Sequence, residues 1–320
     1  MPIIQSSYKP PFYMRNGYVA TIYSGIIRRV KLKSNNLKRQ RLTLSDGDFI
    51  DLDWAFAKKE STRLVVILHG LEGDSKRSYV LGASNKFYEH GYDVVRVNFR
   101  GCSGEPNIKY SSYHSGATSD LHEVLEMIYS QYSYEAIYLN GFSLGGNVIL
   151  KYLGERSDIH TAIKAASVIS VPCYLVGSAK EIVKFKNFPY AVNFKYYLLK
   201  KLRQKQLQFP DKISVKEIDK IRNLIDFDHA YTSKAHGFED AFHYYEQSSS
   251  LNFLGNIDRP TLLINALNDS FLSHECYPVK DAKENPNLFL EMPNYGGHVG
   301  FYGKRNYYTE IRSADFFSKY

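Results

Sequence analysis

No run of 18 apolar residues occurs in the 320-residue chain, which argues against a membrane-spanning helix. Cysteine is scarce: Cys102, Cys173 and Cys276 are widely spaced and odd in number, suiting buried or free thiols better than a disulfide framework. Their spacing fits no zinc pattern. There is no internal repeat and no low-complexity tract. The opening MPIIQSSYKPPFYMRNGY lacks the basic start, apolar core and small-residue cleavage site of a signal peptide, so the expected compartment is the cytoplasm. What is present is globular: 44% hydrophobic residues in a chain long enough for a large core, as two domains or as one α/β domain carrying an insertion.

Acidic residues are thinnest where basic ones crowd. Between Lys180 and Lys205 there are eight cations and one carboxylate, Glu181, so this segment holds +7 of a net charge of +8. Phe185, Phe188, Tyr190, Phe194, Tyr196 and Tyr197 are interleaved with the lysines. Such a segment reads either as a solvated helical face or as a surface attracted to anionic lipid or an acidic substrate. No nucleic-acid-binding motif accompanies it, so nucleic acid is not an expected partner.

Short β-branched runs alternate with helical stretches. An antiparallel opening is expected from a strand over 38–45, a Ser45-Asp46-Gly47-Asp48 turn and a second strand over 49–56. Further strands are expected over 63–70, 92–101, 136–143, 165–171, 260–269 and 287–294, several of them near-continuously apolar, as strands buried on both faces are. The alternation predicts an α/β fold, a mostly parallel sheet with helices on both faces. Residues 172–255 carry helical signals without a strand and read as a helical lid inserted into a core formed by residues 1–171 and 256–320.

The segment YLNGFSLGGN (138–147) then acquires a place, because it follows one of these strands and precedes the helix-like NVILKYLGE. Gly141-Phe142-Ser143-Leu144-Gly145 fits G-x-S-x-G, the sharp strand-to-helix turn that exposes a serine. A serine hydroxyl needs a base and an orienting carboxylate, in the chain order Ser, Asp or Glu, His. Asp269, ending a strand, and His298, in a glycine-bracketed loop after the last strand, meet that order; Asp258 precedes its strand and is the weaker candidate. An oxyanion needs donors already aimed at it. The backbone N–H of Leu144, after the nucleophile, and of Leu71, in the loop His69-Gly70-Leu71-Glu72-Gly73, are the candidates. His69 reads as a structural histidine of that loop, and Cys102 as an unreactive thiol beside Arg100 and Gly101. Asn147 is expected to support the first turn of the elbow helix, and Asp228 and His236 to make structural hydrogen bonds.

HGLEG, NFRGCSGEPN, YHSGATSDL, GFSLGGN, NALNDSF and GGHVGF together resemble the YheT-like branch of the α/β-hydrolases, which is similar to eukaryotic ABHD-type lipid esterases. NGYVATIYSGIIRR and FDHAYTSKAHGFEDAFHYYEQSS extend the resemblance over nearly the whole chain. It implies the α/β-hydrolase fold, with Ser143, Asp269 and His298 as triad and Leu71 and Leu144 as oxyanion donors. The chain departs from that pattern at Tyr18, where the branch has histidine, and at Ser270, where proline is usual.

The expected function is a serine hydrolase of carboxylic esters working through an acyl-enzyme. A thioesterase, amidase or acyltransferase would share the same acyl-enzyme, and a catalytically silent lipid-binding homologue is the reading from another class. No cofactor or metal is implied. The expected partners are a small-molecule or lipid ester and, through the basic lid, a membrane surface; no obligate protein partner is inferred.

Overall fold

The computed structural model describes residues 2–303 and 306–320. Its strands are β1 (Ile3–Ile4), β2 (Leu37–Thr43), β3 (Phe49–Ala55), β4 (Arg63–Leu68), β5 (Asp93–Asn98), β6 (Ala136–Phe142), β7 (Ile163–Ile169), β8 (Thr261–Ile264) and β9 (Leu288–Glu291). They form one nine-stranded sheet in the order β1-β9-β8-β7-β6-β4-β5-β3-β2. Every pairing is parallel except β2 with β3 and β3 with β5. The α-helices are α1 (Gly17–Ile22), α2 (Ser78–Glu89), α3 (Thr118–Gln131), α4 (Leu144–Glu155), α5 (Leu175–Ile182), α6 (Phe188–Gln208), α7 (Val215–Asp219), α8 (Leu224–Phe227), α9 (Ser233–His236), α10 (Ala241–Ser248), α11 (Val279–Glu284) and α12 (Tyr308–Phe317).

The period-2 alternation of strands sorts the core into two layers. On β4, Leu64, Val66 and Leu68 join the apolar side chains of α3 and α4, while Val65 and Ile67 pack with α2 and α12 on the opposite face. All five are fully buried, each contributing about 1.5–3 kcal/mol of transfer free energy. Helices α5 to α10 lie between β7 and β8, and pack their own apolar cluster around Leu198, Leu202, Ile218 and Phe227.

The strands are shorter than their sequence signals at the carboxyl ends. The run over 260–269 leaves the regular ladder after Ile264: Asn265 still donates its backbone N–H to the Glu291 carbonyl at 3.1 Å, and its side chain fixes the departing chain, Oδ1 accepting the Val171 N–H at 2.7 Å and Nδ2 donating to the Cys276 carbonyl at 2.7 Å. Likewise β4 ends at Leu68, releasing His69 and Gly70 into a loop. The two-residue β1 had no sequence signal, being too short for any period to register. Since β5 lies on one side of β4 and β6 on the other, the carboxyl ends of β4 and β6 flank a topological switch point, where open α/β sheets bind ligands.

The β2–β3 hairpin anchors the loop that follows β5. Asp48, fully buried, accepts N–H bonds from Phe49 and Ile108 at 2.9 and 2.8 Å and from the Asn107 amide at 2.6 Å. Burial pulls its pKa up, but those donors prevail and hold it below the usual carboxylate value. Asp51 and Asp53 are also held low, with burial opposed by Arg41 and Arg39 respectively. Asp120, against Arg100, is raised by burial and works in the opposite sense. For the three depressed carboxylates, stability is fully present above their unfolded pKa of about 4 and is lost as pH falls through the lower folded values. Thermal melts should therefore show a Tm that declines as pH falls below about 4, and Asp48→Asn should lower the neutral-pH Tm while flattening that decline.

Candidate active site

The chain leaves β6 and turns directly into α4 at Ser143, whose backbone sits at φ 51°, ψ −119°. The turn is tight enough that a Cβ on Gly141 would lie 2.7 Å from the Gly146 Cα, and one on Gly145 would lie 2.5 Å from the His69 carbonyl oxygen. Glycine is therefore required at both positions. A non-glycine residue in such a conformation costs on the order of 1–3 kcal/mol. Ser143 is the N-cap of α4, yet its side chain makes no capping bond, so the hydroxyl is not used to hold the helix. The amide of Leu144 belongs to the first turn, where N–H groups have no intrahelical acceptor.

Five non-glycine residues among those described have positive φ: Glu72, Ser143, Ser170, Val299 and Phe301. Four of them sit in the segments that meet at the sheet's carboxyl edge around Ser143 and His298. The Ser143 N–H bonds the Ile169 carbonyl at 2.9 Å, and the neighbouring Ser170 hydroxyl accepts the Val299 N–H at 2.9 Å. The end of β7 thus bridges the serine turn and the histidine loop.

Asp269 and His298 are brought together. The His298 Nδ1 lies 2.8 Å from Asp269 Oδ2, while Asp269 Oδ1 accepts the Phe271 N–H at 3.0 Å. A carboxylate can only accept, so Nδ1 carries a proton, and the neutral tautomer compatible with this bond has its lone pair on Nε2. The Phe271 ring lies 4.4 Å from the imidazole centroid and also lines the cavity that contains Ser143. Asp258 instead pairs with Arg259 at 2.8 Å on the surface, as its position before β8 dictates.

A segment without any sequence signal for this role braces both loops. The Arg15 carbonyl accepts from Asn268 Nδ2 at 2.9 Å, Asn268 Oδ1 accepts the Gly297 N–H at 2.9 Å, and Thr21 Oγ1 accepts the His298 N–H at 2.8 Å. Residues 15–21, including α1, therefore connect the acid loop to the histidine loop.

A cavity of about 420 Å³ opens at Ser143, within the range of small-molecule sites. Leu71, Leu144, Cys102 and Tyr113 line it from the core side, and Leu175, Phe194, Leu198, Leu202 and Phe227 line it from the helices between β7 and β8. Glu72 is buried here. Its carboxylate accepts from the Tyr113 hydroxyl at 2.7 Å and from Lys201 of α6 at 3.1 Å. Lys201 also reaches the Cys102 sulfur at 3.2 Å. Burial nonetheless pushes the Cys102 thiol up to about 11, so it stays protonated at neutral pH.

His69 is fully buried with both ring nitrogens engaged, Nδ1 at 2.8 Å from the Gly70 carbonyl and Nε2 accepting the Phe99 N–H at 3.3 Å; burial lowers its pKa to about 4. It is a structural residue of the loop carrying Leu71. Asp228 lines the cavity, but its oxygens accept from the Thr232 and Tyr245 hydroxyls at 2.6 Å each, and burial raises it to about 6. His236 does not make the expected structural hydrogen bond: its buried Nε2 has no partner among the described residues, its ring lies tilted against His114 with centroids 4.4 Å apart, and burial lowers it to about 4. Asn147 does not support the first turn of α4, as the sequence suggested. It reaches away from the helix, donating to the carbonyls of Ser115 and Ser248 at 2.8 Å each and accepting the Ser250 N–H at 3.0 Å. The basic segment divides as well: Lys201 and Lys205 turn inward, the latter onto the Asn107 carbonyl at 2.6 Å, and Lys184 and Lys186 pair with Glu181. Its outward charge is smaller than a count of lysines indicates.

Comparison with known proteins places the chain in a family. The family model described as serine aminopeptidase, S33 (Hydrolase_4) matches residues 59–226. YheT of Escherichia coli (strain K12) is 33% identical over 272 residues, covering 82% of this chain and 78% of that protein. The chain belongs to the Hydrolase_4 family of α/β-hydrolases, in its YheT-like branch. Phospholipase ABHD3 of Bos taurus is 30% identical to this YheT-like hydrolase over 311 residues, covering 94% and 74% of the two chains. Among solved structures, the esterase Pf2001 of Pyrococcus furiosus superposes with a TM-score of 0.62 at 18% identity, over 92% and 97% of the two chains. The resemblance read from HGLEG, GFSLGGN and GGHVGF thus led to the right fold.

Proposed function

We propose that this YheT-like protein hydrolyses carboxylic esters of acyl or lipid type through an acyl-enzyme on Ser143. The observation that carries the reading is the uncommitted Ser143 hydroxyl on a strained turn, opening on an apolar-walled cavity, with a buried Asp269–His298 pair bridged to it by residues 169 and 170. In this reading His298 Nε2 takes the proton as Ser143 Oγ attacks the ester carbonyl. The Leu71 and Leu144 N–H groups receive the oxyanion, a contribution of about 10²- to 10³-fold in kcat per donor. Collapse expels the alcohol, protonated by His298, and water then repeats the attack on the acyl-enzyme. Residues 172–255 act as the lid, their apolar inner face receiving the acyl chain. Names among the relatives, phospholipase above all, agree with an acyl ester substrate.

The family description also raises an aminopeptidase, which would need a carboxylate for the substrate's ammonium group. Three of the four carboxylates lining the cavity are held by close partners: Glu72 has Lys201 and Tyr113, Asp228 has Thr232 and Tyr245, and Glu105 has Arg41, while Asp74 lies 4.0 Å from Arg77. This favours the ester. A p-nitrophenyl ester chain-length series run beside aminoacyl p-nitroanilides decides between them, with turnover expected on the esters. Turnover confined to the anilides would overturn the proposal.

Thr21 serves in this reading as a positioning residue. Thr21→Val keeps the side chain's shape but leaves the His298 N–H without its acceptor. The expected loss in kcat is about 10- to 100-fold, the scale of a small misplacement of a reacting group, with KM little changed and Thr21→Ser restoring the rate. A purely structural role would instead lower Tm without that split between kcat and KM.

A further inference from the structure

The surface of the N-terminal segment carries an apolar stripe that the proposed chemistry does not use. From α1 the chain continues through a π-helical turn, Tyr23–Ile27. Val19, Ile22, Ile26 and Ile27 stand exposed on this stretch, with Ile26 at 60%, and Phe12 just before it is 79% exposed. Spacings of three and four residues put 19, 22 and 26 on one side of a helix. A second stripe runs along α6 and the turn before it, through Phe185, Phe188, Val192 and Tyr196, with Phe185 at 91%. The opposite face of α6 supplies Phe194, Leu198, Lys201 and Leu202 to the cavity wall. The two elements join where the Tyr18 and Tyr190 rings stack at 6.3 Å and the Tyr190 hydroxyl donates to the Tyr18 carbonyl at 3.3 Å. Large apolar side chains scattered singly need no explanation, but two exposed apolar stripes on elements that touch do.

Charge identifies the occupant. Residues 1–45 contain nine lysines and arginines and no aspartate or glutamate. Arg28 and Lys33 are engaged by Glu310 and Glu89, whereas Lys9, Arg15, Arg29 and Lys31 flank the first stripe with their residues exposed. An apolar strip bordered by cations suits the boundary between acyl chains and anionic headgroups. We propose that α1, its π-helical extension and the outer face of α6 form a docking face for an anionic membrane surface. Docking there holds the far wall of the cavity against the lipid. It also extends the membrane contact expected from the basic lid: the N-terminal segment supplies charge beside Lys195 and Lys200 of α6, and α6 supplies apolar area.

The test is vesicle co-sedimentation of the full chain with phosphatidylcholine alone and with phosphatidylcholine–phosphatidylglycerol mixtures at low salt. Binding is expected to the anionic mixture, weakening as salt is added, and equal for Ser143→Ala, so that it stands or falls apart from the hydrolytic reading. Ile22→Ser, Ile26→Ser, Phe185→Ser and Phe188→Ser combined should reduce the partition coefficient by more than about tenfold. Arg15→Gln and Arg29→Gln should each reduce it by about fivefold. Phe185→Trp supplies a reporter on otherwise native protein, and its emission should shift to the blue on adding anionic vesicles. No sedimentation with anionic vesicles, or an emission that does not move, overturns the proposal. So does a dimer in solution that the serine substitutions dissociate, which would mean that a second copy covers the face.

Discussion

Ser143→Ala is expected to lower kcat/KM on p-nitrophenyl esters by about 10⁶-fold, the scale seen when a triad nucleophile is removed, and to abolish labelling by a fluorophosphonate. The fold should not register the change. Alanine retains the Cβ and therefore the same backbone strain, and the lost hydroxyl makes no capping bond to α4. An unfolding free energy within the range of neutral surface substitutions, about ±0.5 kcal/mol of the wild type, should accompany the loss. Intact-mass analysis after labelling gives the clearest answer: one adduct on the wild type and none on the variant. An adduct that persists on the alanine variant would move the nucleophile to another residue, and an unlabelled, folded wild type would sink the acyl-enzyme.

Asp269→Asn carries the second large effect, and its cause can be read from two bonds. Both carboxylate oxygens accept, one from the Phe271 N–H and one from the His298 Nδ1–H. An asparagine has a single oxygen, so it must abandon one of them. If the amide nitrogen faces the ring, Nδ1 becomes the acceptor and the proton moves to Nε2, the position that has to be vacant to take the serine proton. The expected cost is about 10⁴-fold in kcat at neutral pH, with KM nearly unchanged. If the amide turns the other way, the Phe271 N–H loses its partner at about 1–3 kcal/mol, which a thermal melt would detect. Turnover close to wild type together with an unchanged Tm would remove Asp269 from the machinery.

Much of this was legible in the sequence because a strand, a turn and a helix each leave local marks. The G-x-S-x-G turn, the apolar run whose strand ends at Ile264 and leads on to Asp269, and the glycines around His298 are short-range signals, and the apolar runs indicated the parallel sheet. What escaped detection depends on distance along the chain. Thr21 meets His298 across 277 positions, and Arg15 meets Asn268 across 253. No periodicity can encode such pairs. Lys201 looked like one more cation in a basic segment, yet it turns inward because Glu72, buried beside Tyr113, needs a counter-charge. Asn147 was misread for a similar reason: asparagine at a helix start suggests local support, and only the returning segment 248–250 reveals its partners.

The edge pairing of β1 with β9 sets a clock on assembly. Ile3 and Ile4 are synthesised well before their partners Leu290 and Glu291, and Arg15 and Thr21 well before the loop groups they brace. At ~5–20 residues per second of synthesis, the interval is roughly a quarter of a minute to a minute. Throughout it the early segment, with its apolar stripe, has no sheet edge to join. On the proposed reading, a nascent chain carries its docking helix before the segment that holds His298, so attachment precedes activity, which waits on the pairing of His298 with Asp269.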